Sequence, residues 1–273
     1  MPMITGVDEQ KCTGCRKCVQ ECGFFGINKE TKKAEYQDPM GACFWCGHCI
    51  AVCPENAVLY EDFGDEPREI SDIPDQELSI PFKNLTNSLQ TLRSIRRYKP
   101  DPVPRDILEK VLEAIRYAPT AGNAREFKIS VVSNQQQLHD LGERVMETFL
   151  KGIDNMPAMK AMYAPVFEFL KKAYKTPMYF DAPHLVVCYT TSDTGMEATD
   201  AGIAVTYARL AAQSLGLGTC WNGFTIAAFK VDPELARLVK AKGKQWGIFT
   251  IGYPGVTFAR TVPRSPMAIK WLD

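Results

Sequence analysis

Apolar positions along the chain follow two periods. In residues 105–117, Ile107, Leu108, Val111, Leu112 and Ile115 fall on one face of a 3.6-residue helix. Residues 84–96 (capped near Asn84 or Thr86), 135–150 and 233–239 also read as helices. Residues 200–215 predict a helix of small residues, with Ala204, Ala208, Ala211 and Ala212 permitting close helix contact. Alternating or fully apolar runs predict strands at 3–11, 57–62, 127–132, 184–190 and 246–252. Residues 217–224 read as a glycine-punctuated loop, and Cys15–Cys22 and Cys46–Cys53 as short helices. Residues 151–180 are rich in Met, Tyr and Phe. They fit either a helix packed on the core or a polarisable lid over a pocket. The expected class is α+β, a small N-terminal module followed by a central mixed sheet flanked by helices.

Charge divides the chain in the same way. The net charge is zero, yet residues 1–80 carry 7 Lys/Arg against 15 Asp/Glu, a net of −8, and the remainder is +8. Acidic residues and Pro67, Pro74 and Pro81 mark an extended tether. The reading is therefore a module at 1–62, a linker at 63–83 and a basic body at 84–273, the last suited to anionic ligands. No apolar run approaches the roughly 18 residues of a membrane span, and the N-terminus lacks a secretory pattern. A reducing, cytoplasmic location is expected, with no nucleic-acid partner.

Eight of the ten cysteines form two runs of spacing C-x2-C-x2-C-x3-C: Cys12, Cys15, Cys18 and Cys22, then Cys43, Cys46, Cys49 and Cys53, offset by 31 residues. Zinc sites use pairs rather than runs of four, and disulfides suit secreted chains. The spacing suits a cubane, whose four irons each take one thiolate. The residues resemble the two-cluster bacterial ferredoxins. In that pattern the fourth cysteine of each run serves the other cluster. The resemblance implies one [4Fe–4S] cluster on Cys12, Cys15, Cys18 and Cys53, and another on Cys43, Cys46, Cys49 and Cys22. Gly14 and Gly47 sit where positive φ is expected. Cys188, in an apolar run, reads as core.

A second constellation is scattered. Arg93-Ser94-Ile95-Arg96 offers two guanidiniums and a hydroxyl for a phosphate. Ala118-Pro119-Thr120-Ala121-Gly122-Asn123 offers a tight turn. Gly216 to Phe224 offers backbone N–H groups beside a flat ring. Pro263-Arg264-Ser265-Pro266 adds a cation. In this order the pieces resemble the nitroreductase family of FMN flavoproteins, over residues 88–273. The resemblance implies a homodimer with FMN at its interface and residues 200–215 as the dimer helix. It assigns Arg93, Ser94, Arg96 and Arg264 (Arg260 as rival) to phosphate and ribityl contacts. It places Pro119, Thr120 and Asn123 beside the ring, and Asn222 and Gly223 near its reactive nitrogen. Where the family often has Gln-Pro-Trp, this chain has Ala124-Arg125-Glu126-Phe127.

The whole resembles a ferredoxin–nitroreductase fusion. It implies an FMN-dependent oxidoreductase taking electrons from reduced ferredoxin or NAD(P)H and reducing a small nitro, quinone, enone or similar substrate. No catalytic side chain is named, because the flavin does the chemistry. Two rivals are an enzyme oxidising NAD(P)H at the flavin and exporting electrons through the clusters, and a non-enzymatic carrier or redox sensor.

Overall fold

A computed structural model describes residues 3–192 and 194–272. The chain forms two compact units, residues 1–80 with 122–124, and residues 81–121 with 125–273.

In the first unit, β1 (Met3–Val7) pairs antiparallel with β4 (Val58–Glu61). Between them come α1 (Lys17–Glu21), the antiparallel hairpin β2 (Phe25–Ile27) and β3 (Ala34–Tyr36), and α2 (His48–Ala51). The hairpin was absent from the sequence expectation, because three-residue strands are too short to show a period. Ile4, Phe25, Ala34 and Val58 pack with Cys18 and Cys49 into a small core. Residues 63–83 hold a 3₁₀ turn at Ile70–Asp72 and the short helix α3 (Asp75–Leu78), so the tether is not wholly extended.

The second unit opens with α4 (Phe82–Thr91), which starts after Pro81 rather than at Asn84 or Thr86 and stops five residues short of the expected end. The cause is tertiary. Ile95 N–H donates to Thr219 O at 2.9 Å, and Ser94 makes a parallel bridge to Thr219. There follow α5 (Arg105–Arg116), β5 (Lys128–Val132), α6 (Gln135–Gly152), α7 (Pro157–Ala173), β6 (His184–Thr190), α8 (Glu197–Ser214), β7 (Gly218–Trp221), α9 (Gly223–Val231), α10 (Glu234–Leu238) and β8 (Lys244–Gly252). The expected loop at 217–224 is thus a strand and the start of a helix. The four strands run in the order β5-β6-β8-β7, all antiparallel, and the Ser94–Thr219 bridge supplies the parallel element.

Strand alternation sorts the core onto two faces. On β6, Leu185 and Val187 face a cluster with Leu141, Val145, Met146, Phe149 and Phe167. Val186 and Cys188 face another with Val111, Ile115, Val205 and Ala208. Cys188 is core, as expected. The segment 151–180 is mostly helix: Phe167 and Leu170 of α7 are buried, while Met159, Met162 and Phe169 stand exposed. One expectation is corrected. Ala204 and Ala208 are fully buried against their own chain, so they are not positions for a partner helix.

His184 is buried at the start of β6. Its Nε2 accepts Val103 N–H at 3.0 Å, and its Nδ1 lies 2.7 Å from Ser133 Oγ. Burial lowers its pKa below the ordinary 6.5. Protonation therefore favours the unfolded chain: this contribution is intact above pH 6.5 and declines as pH falls through the lowered folded-state value. Urea denaturation at pH 7.5 and pH 5.5, compared with His184→Gln, is expected to show the larger acid loss in the unsubstituted protein. Equal losses would exclude His184 as a source of acid sensitivity.

Candidate functional site

The first unit gathers the cysteines in crossed sets. Cys12, Cys15, Cys18 and Cys53 line one cavity with Val7, Thr13 and Arg16. Burial pushes the Cys18 thiol up, opposed by a backbone hydrogen bond at Val19 and reinforced by Cys53, Cys12 and Cys15. Burial likewise pushes the Cys49 thiol up to about 12, and its sulfur neighbours are Cys22, Cys46 and Cys43. Each quartet therefore draws three cysteines from one run and the fourth from the other. Among the described residues no group of His, Cys, Asp or Glu is arranged around a single ion. Four thiols drawn from the two runs are the donor set that a cubane cluster takes, one thiolate for each iron. Its cationic irons would reverse the thiolate penalty.

The backbone explains the loops. Left-handed residues occur at Gly14 (φ 69°) and Arg16 (φ 65°) in the first, and at Trp45 (φ 49°) and Gly47 (φ 76°) in the second. These positions match under the 31-residue offset, so both loops follow one path while the glycine changes place. Such left-handed turns aim successive N–H groups inward, toward an anionic body. A Cβ on Gly14 would lie 2.7 Å from Lys32 O, which fixes glycine there. Backbone N–H groups already address sulfur: Ala57 to Cys53 Sγ at 3.2 Å and Trp45 to Cys43 Sγ at 3.4 Å. Asp38 secures the second loop, accepting Ala42 N–H at 2.8 Å and Cys43 N–H at 3.0 Å.

In the second unit a cavity of about 580 Å³ is lined by Arg93, Ile95, Gln213, Gly216 to Thr219, Pro254 and Arg260. Arg93 is held at the end of α4, its guanidinium donating to Leu92 O at 2.6 Å and Gln90 O at 2.7 Å. Ser94 is half-buried and Arg96 exposed; both lie beside the Cys220 thiol, which burial pushes up and the Arg96 charge and Ser94 hydrogen bond pull down. Arg264 lies exposed in the irregular C-terminal segment and does not line this cavity, whereas Arg260 does.

The other predicted residues separate. Pro119 is exposed and Thr120 half-buried, its Oγ1 accepting Arg125 N–H at 3.1 Å. Asn123 packs within the first unit, where its Nδ2 donates to Trp45 O at 2.7 Å and Phe44 O at 3.2 Å. Asn222 is buried and caps α9: Oδ1 accepts Thr225 N–H at 3.0 Å, and Nδ2 donates to Met178 O at 2.9 Å. Gly223 beside it is exposed, with open space where a Cβ would stand.

Three residues of α8 escaped the sequence reading. Asp200 is buried and its carboxylate accepts Ala121 N–H, at 3.1 and 3.2 Å to its two oxygens, pinning the end of the 118–121 segment. Arg209 Nε donates to Thr219 Oγ1 at 3.3 Å. Gln213 donates to Thr91 Oγ1 and Ser88 O, while its own Oε1 is buried without a partner among the described residues. The only sequence signal was their polarity within an alanine-rich helix.

Two crossed cysteine quartets mark an iron–sulfur protein, and the cation-lined cavity beside the sheet suits an anionic ligand. Residues 89–253 match the profile of the nitroreductase family, and residues 4–54 that of a 4Fe-4S dicluster domain. The chain belongs to the nitroreductase family. It is 30% identical over 189 residues to the FMN reductase [NAD(P)H] of Bacillus subtilis strain 168, covering 68% of this chain and 71% of that protein. It is 29% identical over 144 residues to an NADH dehydrogenase/NAD(P)H nitroreductase of Methanothermobacter thermautotrophicus, covering 51% of this chain and 61% of that relative. The fold resembles a Bacteroides fragilis nitroreductase with bound FMN, with a TM-score of 0.55 and 25% identity over 68% of this chain and 97% of that one.

Gly218 sits where the chain at Ile95 crosses β7. A Cβ there would lie 2.4 Å from Ile95 Cγ1 and 2.9 Å from its Cβ. Gly218→Ala is expected to destabilise the protein by about 1–3 kcal/mol through overpacking, and the double variant with Ile95→Ala to recover part of that loss. Thermal unfolding of the four proteins checks this. Strict additivity would show that the contact is not the cause.

Proposed function

We propose that the chain passes electrons from a low-potential donor through two [4Fe–4S] clusters to FMN, which reduces a small organic substrate. The observation that carries it is the crossed gathering of two cysteine quartets in the same chain as a nitroreductase fold. On this reading residues 1–62 are the cluster module, 63–83 the tether and 84–273 the flavin domain. Cys12, Cys15, Cys18 and Cys53 hold one cluster, and Cys43, Cys46, Cys49 and Cys22 the other. When bound, the clusters would supply one-electron storage, and FMN the pairing of two electrons that, with two protons, reduce a nitro, quinone or enone group.

The chain's own part is to bind and orient. Arg93, Ser94 and Arg96, with Arg264 or Arg260, would hold the flavin phosphate through charge-assisted bonds. Asp200 fixes the turn carrying Pro119 and Thr120. Asn222 fixes the backbone that presents Gly223, where a ring can approach without meeting a side chain. A second copy would complete the site. In support, Met267, Trp271 and Leu272 are more than 80% exposed on the C-terminal segment, and Tyr207 of α8 is also exposed. The setting is a cytoplasmic, reducing one, which keeps the cysteines available to iron.

NAD(P)H as the donor, with electrons leaving through the clusters, is the second reading. It is favoured by the name of the Bacillus subtilis relative. Anaerobic stopped-flow reduction with NADH, NADPH and reduced ferredoxin in turn separates the two.

Cys53→Ala is expected to lower iron from about eight to about four per chain, since each cubane holds four irons. Flavin content should stay unchanged. Iron analysis with electron paramagnetic resonance of the reduced protein checks this. Loss of the second cluster alone would overturn the crossed assignment. Removing residues 1–80 should abolish flavin reduction by ferredoxin and leave reduction by dithionite intact. Undiminished ferredoxin-driven reduction would deny the clusters their place in the chain of transfer.

A further inference from the structure

The net −8 of residues 1–80 conceals a strong asymmetry. Six of the seven cations, Lys11, Arg16, Lys17, Lys29, Lys32 and Lys33, fall between residues 11 and 33. Residues 1–33 carry only four acids and net +2, whereas residues 34–80 carry Arg68 against 11 acids and net −10.

The fold places that cationic segment around the first quartet. Cys12, Cys15 and Cys18 all lie within it. Arg16 lines their cavity, and so does Glu55. The turn between β2 and β3 lies against the same loop, with Lys32 O in contact range of Gly14, and Lys33 Nζ donates to Glu9 O. Lys11, Arg16, Lys17, Lys29 and Lys32 are exposed, and so is Cys15. Acids share the rim: Glu9, Glu30 and Glu55 are exposed, and Asp8 pairs with Lys11 at 3.8 Å. The loop of the other quartet has no cation between Cys43 and Cys53 and is secured by the Asp38 carboxylate.

Resting on the reading above, we propose that the Cys12–Cys15–Cys18–Cys53 end is the electron port, and that it docks an acidic one-electron carrier protein. The positive rim attracts an anionic partner, and the surplus of negative charge elsewhere in the unit turns that partner toward the rim. Such complementarity acts chiefly on encounter and orientation and is screened by salt. In the step itself the reduced carrier loses one electron and the cluster at that end gains it. No bond or proton is exchanged.

The test uses the reconstituted full chain and a purified acidic flavodoxin as the carrier. Binding is measured by calorimetry at about 20 and about 200 mM NaCl, on either side of physiological screening. Lys17→Glu/Lys32→Glu is compared with Arg68→Glu, which lowers the charge outside the rim. The proposal expects salt to weaken binding several-fold. It expects the double variant to weaken low-salt binding by about tenfold or more, and Arg68→Glu by less than about twofold. Iron content and visible absorption must match in all three proteins, and their absence from the unsubstituted chain would instead refute the cluster reading. Three results with clusters present would overturn the port: no binding at low salt, equal weakening by both variants, or an inert double variant. The last would place the carrier elsewhere, on the basic body for instance.

Discussion

The second unit depends on how closely α8 lies on β8. Gly247 makes that approach possible: a Cβ there would stand 2.7 Å from Val205 Cγ2 and 3.6 Å from Ala201 Cβ. Because the helix lies flush, its polar residues reach three different parts of the candidate site. Asp200 holds Ala121, Arg209 meets Thr219 on β7, and Gln213 ties the end of α4. A bulkier residue at 247 would lift the helix and loosen all three supports together. Alanines at 201, 204, 208 and 212 serve the same closeness within the chain.

The first unit reaches order by other means. Its apolar core is small, and two of its buried positions are cysteines, Cys18 and Cys49. Modules of this size rarely fold on apolar burial alone and use metal or disulfide cross-links instead. Cys22 and Cys53 each stand with the opposite run. On the cluster reading, each metal centre thus joins the two halves of the internal duplication, so cluster assembly and folding are one process.

Legibility in the sequence followed the range of the interactions. The cysteine runs were legible because ligand spacing is local. Helices such as 105–116 and 135–152 were legible because their apolar faces repeat within the segment. What escaped depends on distant partners. Residues 94 and 95 leave the helix because Thr219 pairs with them, and 218–221 become a strand because β8 lies beside them. The alanines of α8 announced close packing, which the dimer expectation gave to a partner helix and the structure gives to α5 and the sheet of their own chain. Asp200, Arg209 and Gln213 took on roles only once the fold brought their partners near.

The state of the polar side chains around the second site bears on where its chemistry resides. Asn222 uses its amide on Thr225 and Met178, Asp200 on Ala121, and Arg93 on the end of α4. These groups hold backbone in place. None stands as a nucleophile with a neighbouring base, which is the geometry that acid–base or covalent catalysis by side chains requires. A scaffold committed to positioning suits a reaction carried by a bound redox group.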